Sequence, residues 1–531
     1  MCYNKAIKGL FMIDILRIPD DVKILTYDNK IEDAKVRFVL NEKQMDVYLS
    51  AKEDKPEFVF LRWNYRASEP VKILGDKWER AYSDMCWGPI NPDKFMPWYF
   101  MASNGKETVG CGVKVRPNSF VSFEYDSSGV SAWFDVRCGA TGVELGGREL
   151  LIGSVICESY SGISTFKATQ SFCERMCEDP IFPKKTIYGG NNWYYAYGES
   201  SYEEAIMDAE FQAELAEGLE RPPSMVIDDG WSQNVCAGPW LANEKFVDMA
   251  KIAEEYKKLN VIPGLWIRLL HDIEFEKNNG ECLLNRKDDE CVLDPSHPKV
   301  KEYLRVLLRR IKGWGYEILK HDYSTFDMFG DYGFSLNGTI TKKKNWAFYD
   351  RKKTSAEIVL DFYKLIYEEF GDGVVIGCNT VSHLCAGLVH INRIGDDTSG
   401  KYWDRTRALG VNSLAFRLPQ NNTFYKIDAD CVGILKKNIP WELNRQWMDL
   451  LAVSNSPLFI SCPKNSVTEE QKEDIKKAFK INSVQNNKLE PLDWEYNVTP
   501  QKWLVDGEII EFDWVKQEYP DLLEGNTHRM T

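Results

Sequence analysis

The sequence has no apolar run that approaches the roughly 20 residues that a membrane-spanning helix needs. It also shows no secretory signal, because the short apolar patch at residues 9–13 ends at Asp14. We therefore expect a cytoplasmic protein, although a mature chain from which a signal had been removed would look the same.

Positive charge is in short supply. The 66 Lys and Arg residues are outnumbered by 80 Asp and Glu residues, which gives a net charge of −14. Polyanions repel such a protein, so the composition argues against nucleic acid or an anionic membrane as a partner. The sequence leaves the oligomeric state open, a homo-oligomer included.

Patterns typical of metal and cofactor sites are missing. The 14 cysteines form no dense framework, and a chain of 531 residues needs none for stability. His271, Cys282, Cys291 and His297 could be drawn as a zinc site, but their irregular spacing favours an incidental role. There is no Gly-rich phosphate loop and no Gly-x-Ser-x-Gly motif. We therefore expect neither a metal nor an organic cofactor.

Strand patterns fill residues 1–183. Alternating runs recur at 34–40, 58–63, 119–125 and 132–136, separated by Gly, Asp, Asn and Ser. This rhythm predicts a large antiparallel β-sandwich that ends in a linker at 179–183. Hydrophobic residues make up 44% of the chain and aromatic residues 13%, which is enough to fill a large core.

Strand and helix then alternate about eight times over residues 184–482. The predicted strands are 186–193, 224–229, 262–270, 316–325, 374–379, 390–397, 424–428 and 457–461, and the predicted helices are 202–218, 244–259, 298–313, 354–371, 439–454 and 468–481. This alternation predicts an α/β fold with a (β/α)8 TIM barrel, and a doubly wound open sheet is the alternative. Residues 483–531 predict a small C-terminal β domain.

Carboxylates and aromatic residues collect at the C-terminal ends of these strands, where barrel enzymes carry their chemistry. Residues 316–325 deliver Lys320 and Asp322 to one face, because side chains alternate along a strand. The other strand ends supply Asp228, Asp229, Trp231, Trp266, Arg268, Cys378, Asn379, Arg393, Asp396, Asp397, Asp428 and Asp430. Glycoside cleavage uses such a set, because two carboxyls flank the anomeric carbon while other groups hold the hydroxyls.

Five motifs follow one another at barrel spacing. They are 227–231 (Ile-Asp-Asp-Gly-Trp), 319–322 (Leu-Lys-His-Asp), 393–398 (Arg-Ile-Gly-Asp-Asp-Thr), 428–431 (Asp-Ala-Asp-Cys) and 455–461 (Asn-Ser-Pro-Leu-Phe-Ile-Ser). With these motifs, residues 185–480 resemble the α-galactosidase clan, and most nearly glycoside hydrolase family 36, whose members are melibiase-like. The strand-rich regions before and after also fit the layout of that family.

The resemblance implies an exo-acting, retaining hydrolase of terminal α-galactosides. Asp322 matches the nucleophile and Asp397 the acid/base, with Asp396 as the alternative for the second role. A raised pKa suits the acid/base, whereas the nucleophile must stay ionised.

The resemblance also implies a set of sugar contacts. Asp228 and Asp229 match the pair that holds the O4 and O6 hydroxyls, and Trp266 and Lys320 match further contacts. The sandwich of this family can lend an aromatic residue to the site, and residues 75–84 resemble that segment. The remaining substrate-binding candidates, taken from that segment and from the strand ends, are Trp78, Asp84, Trp193, Cys378 and Arg393.

Departures from the family pattern leave the specificity open. The longer family members have a Gly-rich stretch after Cys378, where this chain has Asn-Thr-Val-Ser-His. An α-N-acetylgalactosaminidase, a β-L-arabinopyranosidase, a galactosyl transferase of the raffinose-synthase type and another retaining α-glycosidase remain alternatives. A catalytically inactive sugar-binding barrel is a further alternative, but the presence of both Asp322 and Asp397 argues against it. In each case the expected partner is an oligosaccharide or glycoside.

Overall fold

The computed structural model describes residues 13–27, 30–66, 69–286, 291–333, 336, 338–435 and 439–514. Residues 1–12, on which the expectation about a secretory signal rests, lie outside this range. So do residues 515–531, the end of the predicted C-terminal domain. Within the described part of the chain, no helix has both the length and the apolar character needed to span a membrane.

The N-terminal strands form two antiparallel sheets, as the strand–turn pattern predicts. The strands are β1 (Asp21–Leu25), β2 (Lys35–Leu40), β3 (Met45–Ser50), β4 (Phe58–Asn64), β5 (Lys72–Gly75), β6 (Gly88–Pro89), β7 (Met96–Pro97), β8 (Tyr99–Ser103), β9 (Glu107–Val113), β10 (Phe120–Asp126), β11 (Gly129–Asp135) and β12 (Glu149–Ser161). One sheet has the order β1-β4-β11-β10-β7 and the other β2-β3-β12-β9-β8-β5-β6. Apolar residues of both sheets make one buried cluster, which includes Val47, Val59, Phe100 and Phe134.

Helices and parallel strands follow. They are α1 (Thr165–Met176), β13 (Tyr188–Asn191), α2 (Trp193–Ala196), α3 (Tyr202–Leu215), β14 (Ser224–Ile227), β15 (Ser232–Asn234), β16 (Ala237–Ala242), α4 (Met249–Lys258), β17 (Ile262–Ile267), α5 (Ile273–Asn278), α6 (Pro298–Gly313), β18 (Ile318–His321), α7 (Ser324–Phe329), α8 (Ser355–Phe370), β19 (Val374–Gly377), α9 (Ser382–Cys385), β20 (Ile391–Arg393), α10 (Trp403–Arg405), α11 (Ser413–Arg417), β21 (Lys426–Asp428), β22 (Cys431–Gly433), α12 (Trp441–Val453), β23 (Leu458–Ser461) and α13 (Glu469–Asn482). The chain ends in a small sheet of β24 (Leu489–Pro491), β25 (Lys502–Val505) and β26 (Glu508–Glu511).

The strands between residues 188 and 461, apart from the β15–β16 hairpin, form one parallel sheet. Over the described residues its order is β21-β20-β19-β18-β17-β14-β13-β23-β22. Every predicted strand of this region overlaps an observed one. The two edge strands, β21 and β22, are separated in sequence only by Ala429 and Asp430. The two strands at opposite edges of the sheet therefore follow each other directly in the chain.

Local sequence accounts for the helix bounds. Helix α6 has Pro298 in its first turn, where a missing N–H costs nothing. Of the six apolar residues whose helical spacing predicts this helix, it buries Val300, Leu304, Leu307, Leu308 and Ile311, and Tyr303 is half-buried. Helix α8 begins with a capping box, in which Thr354 and Glu357 satisfy each other's backbone N–H groups.

The region between β20 and β21 departs from the sequence expectation. We predicted no helix there, but α10 runs through a π-helical segment, Thr406–Asn412, into α11. The apolar positions of this segment are scattered among polar ones, so an α-helical period is hard to recognise. Arg405 and Thr406 of this region donate hydrogen bonds to the backbone oxygens of Asp397 and Thr398, at 2.6 and 3.0 Å.

Candidate active site

Asp322 lies directly after β18, and its carboxylate accepts two hydrogen bonds. The indole Nε1 of Trp266 donates to Oδ2 at 3.2 Å, and the backbone N–H of Tyr323 donates to Oδ1 at 2.7 Å. Desolvation raises the pKa of this carboxyl, but the positive charges of Arg80 and Lys320 outweigh desolvation. The pKa of Asp322 therefore lies below its ordinary value, and the group is ionised.

Asp397 follows β20 and is surrounded by cations. Arg393 Nη2 lies 3.1 Å from its Oδ1, and Arg80 Nη1 lies 3.8 Å from the same atom. Burial would raise the pKa of this carboxyl, but Arg393, Arg80 and Arg405 lower it to about 2. The side chain of Asp397 remains 38% exposed, so a ligand can still reach it.

The neighbouring Asp396, the alternative acid/base, is also paired with arginines. Arg405 Nη2 lies 2.7 Å from Asp396 Oδ2, and Arg80 Nη2 lies 3.3 Å from Oδ1. Arg405 further donates from Nε to the backbone oxygen of Asp397 at 2.6 Å. The side chain of Asp396 is 18% exposed, which makes it less accessible to a ligand than Asp397.

The Asp pair after β14 is buried and connected to the β18 strand end. Lys320 Nζ lies 2.7 Å from Asp228 Oδ2, and Asn191 donates to the same oxygen at 2.8 Å. Asp229 accepts hydrogen bonds from the backbone N–H and the thiol of Cys236, while burial raises the pKa of the Asp229 carboxyl.

The break between β21 and β22 has a positioning role. Asp430 has a φ of +73° and lies 2.6 Å from Arg393 Nη2, on the same guanidinium nitrogen that contacts Asp397. It also accepts the backbone N–H of Thr398 at 2.8 Å. Asp428 in turn accepts the backbone N–H of Asp430 at 2.8 Å. Asp430 thus holds Arg393 and the backbone of Thr398, and Asp428 holds Asp430.

Residues 76–85, which we call the inserted segment, connect the N-terminal sheets to this strand-end region. Ala81 pairs with Gly395 as a parallel bridge, with hydrogen bonds of 2.7 Å to Ile394 and 2.9 Å from Asp396. The other links to the parallel-sheet region are Asp76 to Arg417 at 2.8 Å, Glu79 to Asn379 at 2.7 Å, Glu79 to Gly333 at 2.8 Å and Met85 to Asn412 at 2.8 Å.

Arg80 is a site residue that sequence reasoning missed. Its Nη1 and that of Arg393 each lie 3.8 Å from the buried Cys378 Sγ. Its charge lowers the pKa of both Asp322 and Asp397. In the sequence, Arg80 stands out only as the neighbour of Glu79 within residues 75–84. We assessed that stretch for its aromatic residues and not for its charges.

The two residues predicted from the inserted segment differ in burial. Trp78 is 3% exposed and packs edge-on against Trp98 and Phe120 in the core. Asp84 is exposed on the surface. Of the other predicted contacts, Trp266 is buried against Asp322, and Trp193 is half-buried with its ring 5.3 Å from that of Tyr197.

Two glycines allow the backbone to come close at these strand ends. Gly230, directly after the Asp pair, has a φ of +105°, and a Cβ there would lie 2.4 Å from the oxygen of Gly198. A Cβ at Gly395, beside the inserted segment, would lie 1.9 Å from the oxygen of Leu409. A side chain at either position would displace the adjoining aspartates.

No group of three His, Cys, Asp or Glu side chains within the described ranges is arranged to hold a metal ion. The Cys282 thiol and His297 Nδ1 do meet, at 3.4 Å, but His297 also caps α6 by accepting the backbone N–H of Lys299.

No protein-family model and no curated protein sequence matches the chain. Solved structures of glycoside hydrolases do match in fold. The α-galactosidase TtGalA from Thermus thermophilus, in complex with p-nitrophenyl α-D-galactopyranoside, has a TM-score of 0.62 at 14% identity, covering 90% of this chain and 99% of that chain. A GH31 family sulfoquinovosidase from E. rectale has a TM-score of 0.54 at 11% identity, covering 92% and 80%.

One of these matches bears directly on the resemblance seen in the sequence. The GH36 α-galactosidase AgaA from Geobacillus stearothermophilus has a TM-score of 0.60 at 14% identity, covering 89% of this chain and 71% of that chain. The fold of the chain is thus similar to that of a family 36 α-galactosidase, and the resemblance is confirmed at the level of the fold.

Proposed function

We propose that this protein is a glycoside hydrolase that releases terminal α-galactose with retention of configuration. The observation that carries the proposal is a shared electrostatic environment. Arg80 and Lys320 lower the pKa of both Asp322 and Asp397, although the two carboxyls follow different strands. Two carboxyls that interact with the same cations belong to one cluster, which supports the pairing that a double displacement needs.

In the proposed reaction Asp322 attacks the anomeric carbon. Its lowered pKa keeps the carboxylate ionised, and its hydrogen bonds from Trp266 and Tyr323 hold one oxygen each. The resulting galactosyl ester is then hydrolysed by water. A carboxylate that is both charged and oriented suits the nucleophile.

Asp397 is the proposed acid/base, but without a substrate its pKa is too low for a general acid. A general acid must carry a proton at the working pH, whereas Arg393, Arg80 and Arg405 hold the pKa of this carboxyl to about 2. A sugar ring that covers the exposed part of Asp397 removes water from the carboxylate, and desolvation raises its pKa. The proposal therefore includes protonation of Asp397 on substrate binding.

The proposed sugar contacts retain the residues assigned from the sequence. Asp228 and Asp229 accept hydrogen bonds from sugar hydroxyls, and Lys320 and Trp266 face the same ring. Arg393, Cys378 and Trp193 complete the surroundings, with Arg80 added to them. Trp78 acts from the core behind the inserted segment, and Asp84 lies at the outer surface.

We also propose that the parallel sheet closes into a (β/α)8 barrel. Support comes from the direct succession of the two edge strands, β21 and β22. A small apolar cluster also joins residues of strands across the sheet, among them Val226, Ile318, Ile391 and Phe459. The proposed domains are the sandwich at 1–183, the barrel at 184–482 and a C-terminal β domain at 483–531.

The test is hydrolysis of p-nitrophenyl α-D-galactopyranoside. The unaltered protein should hydrolyse this substrate, and Asp322→Asn should reduce kcat by about 10³-fold or more, because the neutral amide cannot attack. Asp21→Asn, an exposed change in the sandwich, should leave kcat unchanged. Near-normal turnover by Asp322→Asn would contradict the assignment.

Specificity is tested with a matched panel. It contains the α-N-acetylgalactosaminide, β-L-arabinopyranoside and α-glucoside of the same aryl group, and raffinose with product analysis to detect transfer. We expect the largest kcat/KM for the α-galactoside. A larger value for another member, or transfer in place of hydrolysis, would overturn the galactosidase assignment while leaving the two-carboxylate mechanism intact.

A further inference from the structure

A second cavity lies at the opposite end of the parallel sheet from Asp322. Its volume is about 200 Å³, and its walls come from chain that precedes or begins the strands. Residues 183–187 lead into β13, Arg221 precedes β14, Lys426 begins β21 and Pro457 precedes β23. The proposed reacting carboxyls follow the strands, so the two sites lie at opposite ends of the same strands. None of the residues that line the cavity is one that we name for the active site.

All the charged residues that line this cavity are basic: Lys184, Lys185, Arg221 and Lys426. Lys184 has an ion pair with Asp372 at 3.2 Å, but both side chains are more than three-quarters exposed, so water screens this contact. Within the described part of the chain, no carboxylate forms an ion pair with Lys185, Arg221 or Lys426. This concentration of like charge occurs in a protein whose net charge is −14.

Lys426 is half-buried, whereas the other three basic residues of the cavity are exposed. Its ammonium group donates to the backbone oxygen of Asn455 at 3.1 Å, and burial lowers the pKa of the ammonium group to about 8. A half-buried lysine without a carboxylate partner is costly, because desolvation opposes its charge. Such a group gains most from an anion that enters the cavity, since the anion replaces the lost hydration.

The remaining walls limit the size and kind of ligand. Pro183, Ile187, Pro457 and Val484 are apolar, and Thr186 adds a hydroxyl group. Drug-sized ligands occupy pockets of roughly 300–1,000 Å³, so this cavity suits a smaller molecule. The lining thus combines four basic side chains with apolar ones, Thr186 and Gln485, which suits a doubly charged head with a short, weakly polar body.

We propose that this cavity binds a phosphate group, either as free phosphate or as part of a small phosphate ester. Lys426 and Arg221 contact the phosphate oxygens, and Lys184 and Lys185 add charge at the mouth. The proposal goes beyond the hydrolase function and does not depend on it, because no residue of the cavity takes part in the proposed reaction.

The test is isothermal titration calorimetry of the full chain with inorganic phosphate and, separately, with glycerol phosphate. Glycerol phosphate is not a sugar, so it does not probe the active site, and sodium chloride keeps the ionic strength constant. We expect saturable binding of at least one of the two probes. Tighter binding of glycerol phosphate would identify an ester as the ligand, and tighter binding of inorganic phosphate would identify the free anion.

Variants assign the binding to the cavity. Lys426→Met and Arg221→Ala should each weaken binding by roughly tenfold or more, because hydrogen bonds between charged groups are lost. Lys52→Met, a matched change on the exposed surface of the sandwich, should bind like the unaltered protein. Arg221 is exposed, so its variant keeps the test valid if Lys426→Met does not fold.

Two results would overturn the proposal. One is the absence of saturable binding of either probe. The other is binding by Arg221→Ala and any folded Lys426→Met that equals binding by Lys52→Met. Both results are independent of galactoside hydrolysis, which is assayed on the same samples.

Discussion

Asp322 and Asp397 owe their low pKa values partly to one residue, Arg80. Its guanidinium contacts Asp396 and Asp397 directly and lowers the pKa of Asp322 as well. Its position is set by Ala81, the next residue, whose backbone pairs with residues 394–396. We therefore regard Arg80 as a positioning and charge-setting residue that the chain between β5 and β6 supplies to the parallel-sheet region.

Replacing Arg80 should change the pH profile. The nucleophile must be ionised, so kcat/KM falls as the pH drops through the pKa of Asp322. Arg80→Met removes a charge that lowers this pKa, so the acid limb of the kcat/KM profile should move to higher pH. Arg80→Lys should restore much of the original limb, and Arg37→Met, on the exposed sandwich surface, should not move it. Superimposed profiles for Arg80→Met and the unaltered protein would contradict the role.

The assignment of Asp397 over Asp396 rests on accessibility, and leaving groups test it. Asp397→Ala should slow raffinose hydrolysis by roughly 10²–10⁴-fold, because the departing oxygen needs a proton. The p-nitrophenyl substrate should lose much less in its first step, since nitrophenolate leaves without one. Asp396→Ala is the matched control and should affect both substrates alike. Two results would contradict this assignment. One is an equal loss of rate with both substrates for Asp397→Ala, and the other is a loss confined to raffinose for Asp396→Ala.

At the scale of elements, the inserted segment depends on a buried ion pair. Asp76 begins the segment and lies 2.8 Å from Arg417 of α11, with side chains 2% and 0% exposed. Gln420 also donates to Asp76, at 2.9 Å. These contacts set where the segment meets the parallel strands and hence where Arg80 lies.

Asp76→Ala should destabilise the protein by about 3–5 kcal/mol, because it leaves the buried Arg417 charge unpaired. Unfolding entropy is about 2.1 cal/mol/K per residue, so for this chain each kcal/mol lowers Tm by about 1 °C. We expect Tm to fall by roughly 3–5 °C.

Two comparisons make the Asp76 result specific. Asp21→Ala breaks an exposed pair with Lys23 and should cost no more than about 1 kcal/mol. Replacement of both partners, Asp76→Ala with Arg417→Met, should recover part of the loss, since the unpaired charge is gone. An unchanged Tm in Asp76→Ala would show that the pair does not anchor the segment.

The sequence predicts the regular elements of the parallel region well and the inserted segment poorly. Helix α6 was predicted with its observed bounds, because apolar spacing and a proline start are local signals. Arg80 could not be found in this way, because its partners lie about 300 residues further along the chain. The break in strand pairing at Ala429 and Asp430 could not be predicted either. β21 and β22 pair with different strands, but a change of neighbouring strand does not alter the pattern of apolar and polar residues.

At the scale of the whole molecule, the N-terminal sheets and the parallel sheet share a hydrophobic core. Trp98 stacks on His383 at 5.1 Å, and Phe120 packs against Phe329 at 5.5 Å. Trp494 of the C-terminal region packs against both Trp87 and Phe416. A movement of the N-terminal sheets, the parallel-sheet region or the C-terminal region therefore disturbs the packing of the other two. The position of Arg80 thus depends on how these three regions pack together.

The similarity to solved glycoside hydrolases also concerns the whole molecule, because it is a similarity of fold at 11–15% sequence identity. A fold depends on apolar periodicity and turn positions, which many sequences satisfy, so it survives where most side chains differ. The five motifs at strand ends are local exceptions, because their residue types matter individually. This explains why the family resemblance was visible in short motifs although no family model matches the chain.

Chemical rescue tests the central claim most directly, namely that Asp322 is the nucleophile and Asp397 the acid/base. Asp322→Gly is incubated with p-nitrophenyl α-D-galactopyranoside and sodium azide, and the product is identified by NMR. Azide that occupies the place of the lost carboxylate attacks the same face of the sugar, so the account predicts β-galactosyl azide. Formation of α-galactosyl azide by this variant would instead place Asp322 on the leaving-group side and contradict the account.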